Sequence, residues 1–367
     1  MAITYSQLLN TTGKIPKMLE GIYSNGVEID TNTVEGQYTA LKKCSVLQEV
    51  ILLRANAFGN VKLWAKDDRL RKIYNPVATQ DLNKLNYYNP YQSSYSFNSQ
   101  VEVYASTFGA CFIHKQKRLG IDGYNYYIIP NWLITPKNSK GKTATYNENI
   151  TKYNVWVFNG YVELDASEVI ILKDNPFNFD NFGYGSRLTG LKEAISLLLS
   201  IGEMSTQLIA DGGARGIIGQ GARDIDMMIS PFLNDEKKHI QDELKKYGGL
   251  RDQYKYIVTK GAASYVPLTS RIVDMDLTNL NKQAIFKIFG AFGVPKIYAS
   301  EEPRFKAAPE GRKEFYTGTI QPEATARYDF WLKEKEIPKR DWEYKVDLSH
   351  LDFYQDMLQQ SASAQLN

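Results

Sequence analysis

The chain has 367 residues, enough for a large core and for two or more modules. Charged residues make up 23% and apolar ones 43%, which excludes a disordered chain, and a net charge of +3 is too small to announce a nucleic-acid binder by itself. Two cysteines, Cys44 and Cys111, stand far apart in apolar contexts, which excludes a disulfide framework and fits a reducing compartment. The opening MAITYSQLLNTTGK lacks the apolar core of a signal peptide, and no apolar run approaches a membrane span. The expectation is a soluble chain, made in the cytoplasm, with no membrane partner.

Residues 1–33 are polar and turn-rich and read as an arm or a loosely held lead-in. Val34, Tyr38, Leu41, Cys44, Leu47 and Ile51 then repeat at helical spacing, predicting one helix that ends near Gly59. NVKLWAK (Asn60 to Lys66) alternates as a strand does, and residues 67–93 read as turns around Asn75-Pro76 and Asn89-Pro90. Phe97, Val101, Tyr104 and Phe108 give one face of a helix stopped by Gly109. From Ala110 to Asp180 the period changes to two. CFIHK, YNYYII, YNVWVF and EVIIL are short strands divided by turns such as Asp122-Gly123 and Asn159-Gly160. Within this β-rich insertion NSKGKTATYNENI reads as a mobile loop or hairpin tip.

A second long helix follows. Ser186 is placed to cap it, and Gly212-Gly213 to stop it after Ala210. Lys192, Glu193, Ser196, Ser200, Glu203 and Gln207 fall in one polar stripe roughly 100° wide, and the rest of the circumference is apolar. Such a helix suits a ring or barrel wall with its stripe toward a lumen. Taken alone, however, the pattern favours a core helix of an ordinary enzyme with its thin edge in solvent. Beyond it lie a strand at RGIIG, an amphipathic helix in NDEKKHIQDELKKYGG, strands at QYKYIVTK and Ala263 to Val266, and an apolar helix capped by Asn279 and ended by Gly293-Val294-Pro295. Residues 300–311 read as a flexible loop. A helix from about Arg312 to Glu336 is kinked or started by Pro322, Trp342 to Leu348 is a strand, and a short helix begins after Leu351.

The residues offer little chemistry. His114, His239 and His350 have no cysteine or acidic partner at metal-ligand spacing, and no serine lies in a Gly-x-Ser-x-Gly frame. The acidic pairs Asp274/Asp276 and Glu301/Glu302 are more simply solvated loop than cation site. Gly141-Lys142-Thr143 resembles the end of a phosphate-binding loop, yet Pro136 replaces the leading glycine and no apolar helix follows. GGARGIIGQGA follows a helix where a dinucleotide fingerprint requires a strand. The expectation is therefore no catalytic set, no metal and no cofactor. What remains is basic loop residues: Arg304, Lys306, Arg312 and Lys313 in one cluster, and Lys137, Lys140 and Lys142 in the insertion. Phosphate contact is one use for such clusters and solubility is the other.

Four segments, in their order and spacing, resemble the portal proteins of tailed bacteriophages: LKKCSVLQEVILLRANAFGNVKLW; the helix ending Tyr104-x-x-x-Phe108-Gly109-Ala110 with the later YIIPNWLITP; YGSRLTGLKEAI; and LTNLNKQAIFKIFGAFGVPKIYAS. Gly109-Ala110 stands where many members have Gly-Asn-Ala. The resemblance implies an α+β, multi-domain portal-like fold with long stem helices, a β-rich clip insertion and a mixed α/β wing, closing into a homo-oligomeric ring, commonly of twelve subunits. The implied division is an N-terminal arm and first part of the wing at 1–93, stem helices at 94–109 and 185–211 and the clip at 110–184. The second part of the wing falls at 212–340 with a tunnel loop at about 300–313, and a short crown-like segment at 341–367. It also implies partners: double-stranded DNA passing through the channel without sequence specificity, the terminase large subunit, a tail adaptor and the major capsid protein. The site of action would be the capsid vertex of the virion. On this reading Arg304, Lys306, Arg312 and Lys313 approach DNA, the helical stripe faces a lumen or a neighbouring subunit, and Lys137, Lys140 and Lys142 belong to a docking loop. The alternatives are another virion connector or adaptor, or a nucleotide-using enzyme built on Gly141-Lys142-Thr143.

Overall fold

The computed structural model describes residues 29–67, 71–120, 123–144, 149–157, 160–174, 185–210, 216–220, 235, 238, 263–267, 277–299, 307–351 and 354. The chain divides into two compact units, residues 1–195 with 285–367, and residues 196–284.

The first unit opens with α1 (Val34–Lys43) and α2 (Ser45–Gly59). The periodicity predicted one helix here, but Cys44 is extended and divides it. The Gln48 side chain donates to the carbonyls of Leu41 and Lys42, holding the end of α1 that the break leaves open. Of the expected N-terminal arm residues 1–28 lie outside the described residues; in the part that is described Ile29 and Thr31 are buried, and the Gln37 amide donates to the Thr31 carbonyl at 3.0 Å. β1 (Lys62–Lys66) pairs antiparallel with the late strand β10 (Glu343–Asp347), so the two ends of this unit close on each other. α3 (Pro76–Asn86) replaces part of the expected turn region. Asn75 accepts from the Val77 amide and Pro76 takes the first helical position, an N-terminus that the Asn-Pro pair signals when read as a cap.

α4 (Ser94–Phe108) is capped by Ser93 and stopped by Gly109 at φ +81°. The insertion then forms two three-stranded antiparallel sheets. β2 (Ala110–Lys117) is central between β3 (Tyr124–Ile129) and β7 (Val169–Lys173), while β5 (Ile150–Val157) is central between β4 (Ile134–Asn138) and β6 (Gly160–Asp165). Their apolar faces share one core of Phe112, Tyr127, Ile129, Ile134, Tyr153, Val155, Leu164 and Val169. Strand alternation supplies these residues to one face; the opposite face is mostly polar on β4–β5–β6, whereas on β3–β2–β7 it carries Cys111, Ile113, Ile128, Ile170 and Leu172, also buried.

Ser186 caps a 3-10 turn, Arg187–Leu191, that leads into α5 (Lys192–Ala210), so the regular helix starts five residues later than its cap suggests. α6 (Leu277–Ala291) contains Asn279 at its third position rather than as its cap, and ends at Gly293 with φ +66°. α7 (Ala307–Glu314) runs on through a π-helical stretch, Phe315–Ile320, into α8 (Gln321–Glu334). Two expectations change here. Pro322 stands in the first turn of α8, as a proline that marks a start does, but the helical run does not begin there: it reaches α8 through the π-spaced stretch just before the proline, which cannot donate to the preceding turn. Residues 307–313 are helical, so the predicted loop covers less than the span given to it, and Arg312 and Lys313 stand exposed on a helix.

In the second unit β8 (Gly216–Gln220) pairs antiparallel with β9 (Ala263–Pro267), as strand readings of RGIIG and Ala263 to Val266 require. The predicted NDEKKHIQDELKKYGG helix falls mostly outside the described residues, although Asp235 and Lys238 are helical. The QYKYIVTK strand and most of the helix after Leu351 also lie outside them. Cys44 and Cys111 are buried free thiols, and burial pushes both pKa values up. No described helix is long and apolar enough to cross a membrane.

Candidate functional site

The β insertion enters after α4 and leaves before Arg187, and its two ends are fastened together. The Ser186 hydroxyl donates to the Thr107 carbonyl at 2.6 Å while accepting from the Leu188 amide, and the Asp174 amide donates to the Gly109 carbonyl at 2.9 Å. Gly109 is obligatory here on two counts. Its φ of +81° suits glycine, and a Cβ would lie 2.3 Å from the Gly185 carbonyl oxygen.

Beside this junction lies a network of three guanidinium groups and three carboxylates, drawn from α2, α4, α8 and both ends of the insertion. Arg54, fully buried, donates from Nε to Glu102 Oε1 at 2.8 Å and from Nη1 to the Phe292 carbonyl at 2.6 Å, and pairs with Glu323 through Nη2. Asp174 lies 3.8 Å from the same Nη2. Arg187 grips Asp174 with two bonds, 2.5 and 3.1 Å, and reaches Glu323 at 3.3 Å and the Ala291 carbonyl at 3.1 Å. Arg327 donates to the other oxygen of Glu102 at 2.7 Å and lies 4.2 Å over the Phe58 ring. Burial alone would push the Glu102 carboxyl up. Arg54 and Arg327 beside it pull harder, and Ser106 adds a bond, so it falls to about 2. Burial works against the Arg54 cation, and Glu102, Glu323 and Asp174 outweigh it, holding Arg54 above the ordinary arginine range.

Carboxylate oxygens of Glu102, Asp174 and Glu323 lie within 4.8 Å of one another, a spacing that would suit a cation. The guanidinium of Arg54 already contacts all three, so the protein supplies the positive charge itself. The network is a clamp: it fixes where α2, α4 and α8 meet the base of the insertion. None of its residues was singled out from sequence. A signal existed, since Arg54 lies on the helical stripe of Val50, Ile51, Ala55 and Phe58, and Glu102 beside Val101 and Ala105, both charges on buried faces.

A second clamp lies under α8. Lys335 donates to the carbonyls of Leu85 and Tyr87 at 2.5 and 2.8 Å, closing the end of α3, and its ammonium sits 3.8 Å over Tyr88. Burial, with the nearby Arg118 and Lys84 charges, pushes it down to about 6.

The residues predicted for function are dispersed. Lys137 is half-buried on β4, while Lys140 and Lys142 are exposed at the β4–β5 connection. That connection is a hairpin tip built on Asn138. Its side-chain oxygen accepts from the amides of Lys140 and Lys142 at 3.0 Å each, and its carbonyl accepts from the Gly141 amide. The backbone N–H groups a phosphate would need are thus engaged by Asn138, and the next element is the strand β5, where a phosphate-binding loop leads into a helix N-terminus. Along α5, Glu193, Ser200 and Glu203 are exposed and Lys192 and Ser196 half-buried, while the Gln207 side chain lies outside the described residues. Leu188, Leu191, Ala194 and Ile195 are buried, but Leu197, Leu198, Leu199 and Ile201 are only half-buried. Arg304 and Lys306 lie outside the described residues.

Comparison with known proteins bears on this architecture. The portal structure of an HK97-family phage portal protein from Corynebacterium diphtheriae superposes with a TM-score of 0.58 at 12% identity, covering 88% of this chain and 97% of that one. A chain from the neck of a native gene transfer agent particle, computed with C12 symmetry, gives 0.60 at 16% identity, covering 98% and 94%. One from the virion of a native gene transfer agent particle gives 0.60 at 16%, covering 89% and 88%. These likenesses show a shared fold. Among curated proteins nothing matches the chain. The family model described as phage portal protein matches residues 45–365, nearly the whole sequence, and the chain therefore belongs to the phage portal protein family.

Proposed function

We propose that this portal-family chain is one subunit of a ring, of twelve copies, at the capsid vertex, through which double-stranded DNA is packaged and ejected. The observation that carries the reading is the family match over residues 45–365. The C12 symmetry computed for the neck containing a fold relative supports the copy number. Leu197, Leu198, Leu199 and Ile201 support assembly, since four apolar side chains on α5 stay half-buried in the single chain and neighbouring subunits would cover them.

On this reading α4 and α5 are the stem, the β insertion is the clip, and the remaining elements of the first unit belong to the wing. The clip, with Lys137, Lys140 and Lys142, docks the terminase large subunit during packaging and the tail adaptor afterwards, and the wing meets the major capsid protein. Lys192, Glu193, Ser196, Ser200, Glu203 and Gln207 face the lumen or a neighbour. Arg304, Lys306, Arg312 and Lys313 approach the DNA, the last two from the exposed N-terminal part of the α7–α8 run. A conduit must hold DNA without gripping it. Neutralising many phosphates in every subunit would trap the polyanion through counterion release, whereas a near-neutral chain with a few basic residues does not. The clamp at the base of the clip suits a part that must carry load between docked machinery and the capsid.

The test is packaging by particles in which Arg304, Lys306, Arg312 and Lys313 are all replaced by glutamine. The expected result is assembled particles with reduced DNA retention. Packaging and retention at the unmodified level would overturn the assignment of these four residues.

A further inference from the structure

The outward face of the β4–β5–β6 sheet has an organisation that its fold does not require. Strand register lays it out in three rows: Trp156 beside Tyr161; Thr135, Asn154 and Glu163; Lys137, Lys152 and Asp165. The opposite face carries Ile134, Tyr153, Val155 and Leu164 into the core, so nothing about folding demands apolar groups outside. Yet Trp156 and Tyr161 are 51% and 53% exposed, held edge to face at 5.8 Å. At the centre of the grid Asn154 is only 7% exposed, and its side-chain oxygen has no hydrogen-bond partner. That oxygen is covered by the protein's own atoms, so the accessible features of the face are the aromatic pair and the charged rows.

The charges on this face sort by what already satisfies them. Glu163 is paired with Lys152 at 3.0 Å, and the Asp165 carboxylate caps the short turn at Ala166–Glu168. Lys137 on the last row and Lys140 and Lys142 at the adjoining tip form no ion pair among the described residues. The face therefore offers an aromatic anchor at one end and, among the described residues, uncompensated positive charge at the other. We propose that this face docks an acidic segment of a partner protein, with an apolar side chain against Trp156 and Tyr161 and carboxylates beside Lys137, Lys140 and Lys142. An exposed aromatic pair with a charged rim beside it has the make-up of an interface hot spot. Protein is favoured over a DNA duplex because a duplex presents phosphates and has no apolar side chain to set against Trp156 and Tyr161.

This assignment rests on the reading of the insertion as a docking clip, and its test separates the two. Binding of the assembled wild-type protein is measured against the terminase large subunit and the tail adaptor of the same phage, each full length, and against a short DNA duplex. The variants are W156A/Y161A and K137E/K140E/K142E, with native mass and melting temperature as controls on assembly and folding. The expected result is that one partner protein binds, that each variant weakens it about tenfold or more, and that raised salt weakens the wild type. Assembly, melting temperature and duplex binding stay unchanged. If a partner binds both variants as tightly as the wild type, this face is not the dock while the clip reading stands. Failure of both partners to bind the wild type sinks the docking reading and this proposal together. Loss of assembly in the variants would make the face a contact between copies, and loss of duplex binding alone would make it a DNA site; either result overturns the proposal.

Discussion

Arg54 contacts three carboxylates and a backbone carbonyl from inside the protein, and that number of partners sets what its removal should do. Arg54→Ala would leave Glu102 buried beside Arg327 alone and leave Glu323 and Asp174 joined only through Arg187. Stripping one member from a buried ion network costs about 3–5 kcal/mol, and Arg54→Lys recovers only part because an ammonium lacks the planar fork. Urea unfolding of the two variants measures both numbers. The same network dictates an acid response. Glu102 has its pKa depressed from 4.5 to about 2, and Asp347, bonded by Lys72, Ser349 and Lys66, is depressed from 3.8 to about 2. A carboxylate depressed by folding adds stability that is complete above its unfolded pKa and vanishes as pH falls through the folded one. Stability should therefore be flat above about pH 5 and fall between about pH 4.5 and 2. Glu102→Gln should flatten that fall while lowering stability at neutral pH, a pair of changes that melting curves across the pH range would register.

The elements of the first unit are joined at glycines that differ in what surrounds them, and the difference is testable. Gly109 ends α4 at φ +81° with the Gly185 carbonyl in the space of a Cβ, whereas Gly141 turns the hairpin tip at φ +70° with nothing within 4 Å. Gly141→Ala should cost about 1 kcal/mol and leave the fold intact. Gly109→Ala should cost more than twice as much or yield insoluble protein, because the backbone itself must move. Comparable melting temperatures for the two variants would contradict this account of the junction. Much at this scale was legible in the sequence. The change of period after Gly109 announced the insertion, its turns and its strands, because half-buried antiparallel strands alternate plainly. What escaped notice had local causes. Cys44 breaks a helix whose apolar repeat runs straight through it, and Asn75-Pro76 reads as a turn unless its role as cap and first helical residue is weighed. The π-helical stretch before Pro322 carries no periodic mark. The clamp was hidden for a different reason. Arg54, Glu102, Asp174, Arg187, Glu323 and Arg327 are spread over 270 positions or so and meet only through tertiary packing; the one available sign was a charge on a buried helical stripe.

At the scale of the molecule, family membership rests on the match over residues 45–365, and the elements along it run as a pair of helices, a helix before a β insertion, a second long helix after it, and an apolar helix closing on Gly293-Val294-Pro295. No single segment is diagnostic, which is why composition and catalytic motifs alone pointed nowhere. Assembly into a ring is the central claim, and α5 is where a single chain looks unfinished: its first turn is buried by its own subunit, and the apolar residues from Leu197 to Ile201 are only partly covered. Leu198→Glu with Leu199→Glu should leave the melting temperature of the monomeric fold within a few degrees while blocking assembly, as native mass measurement would reveal. The most direct measurement is electron microscopy of the purified chain with end-on class averages. The account predicts closed rings of twelve subunits around an open channel. A population that stays monomeric at every salt and protein concentration would contradict it.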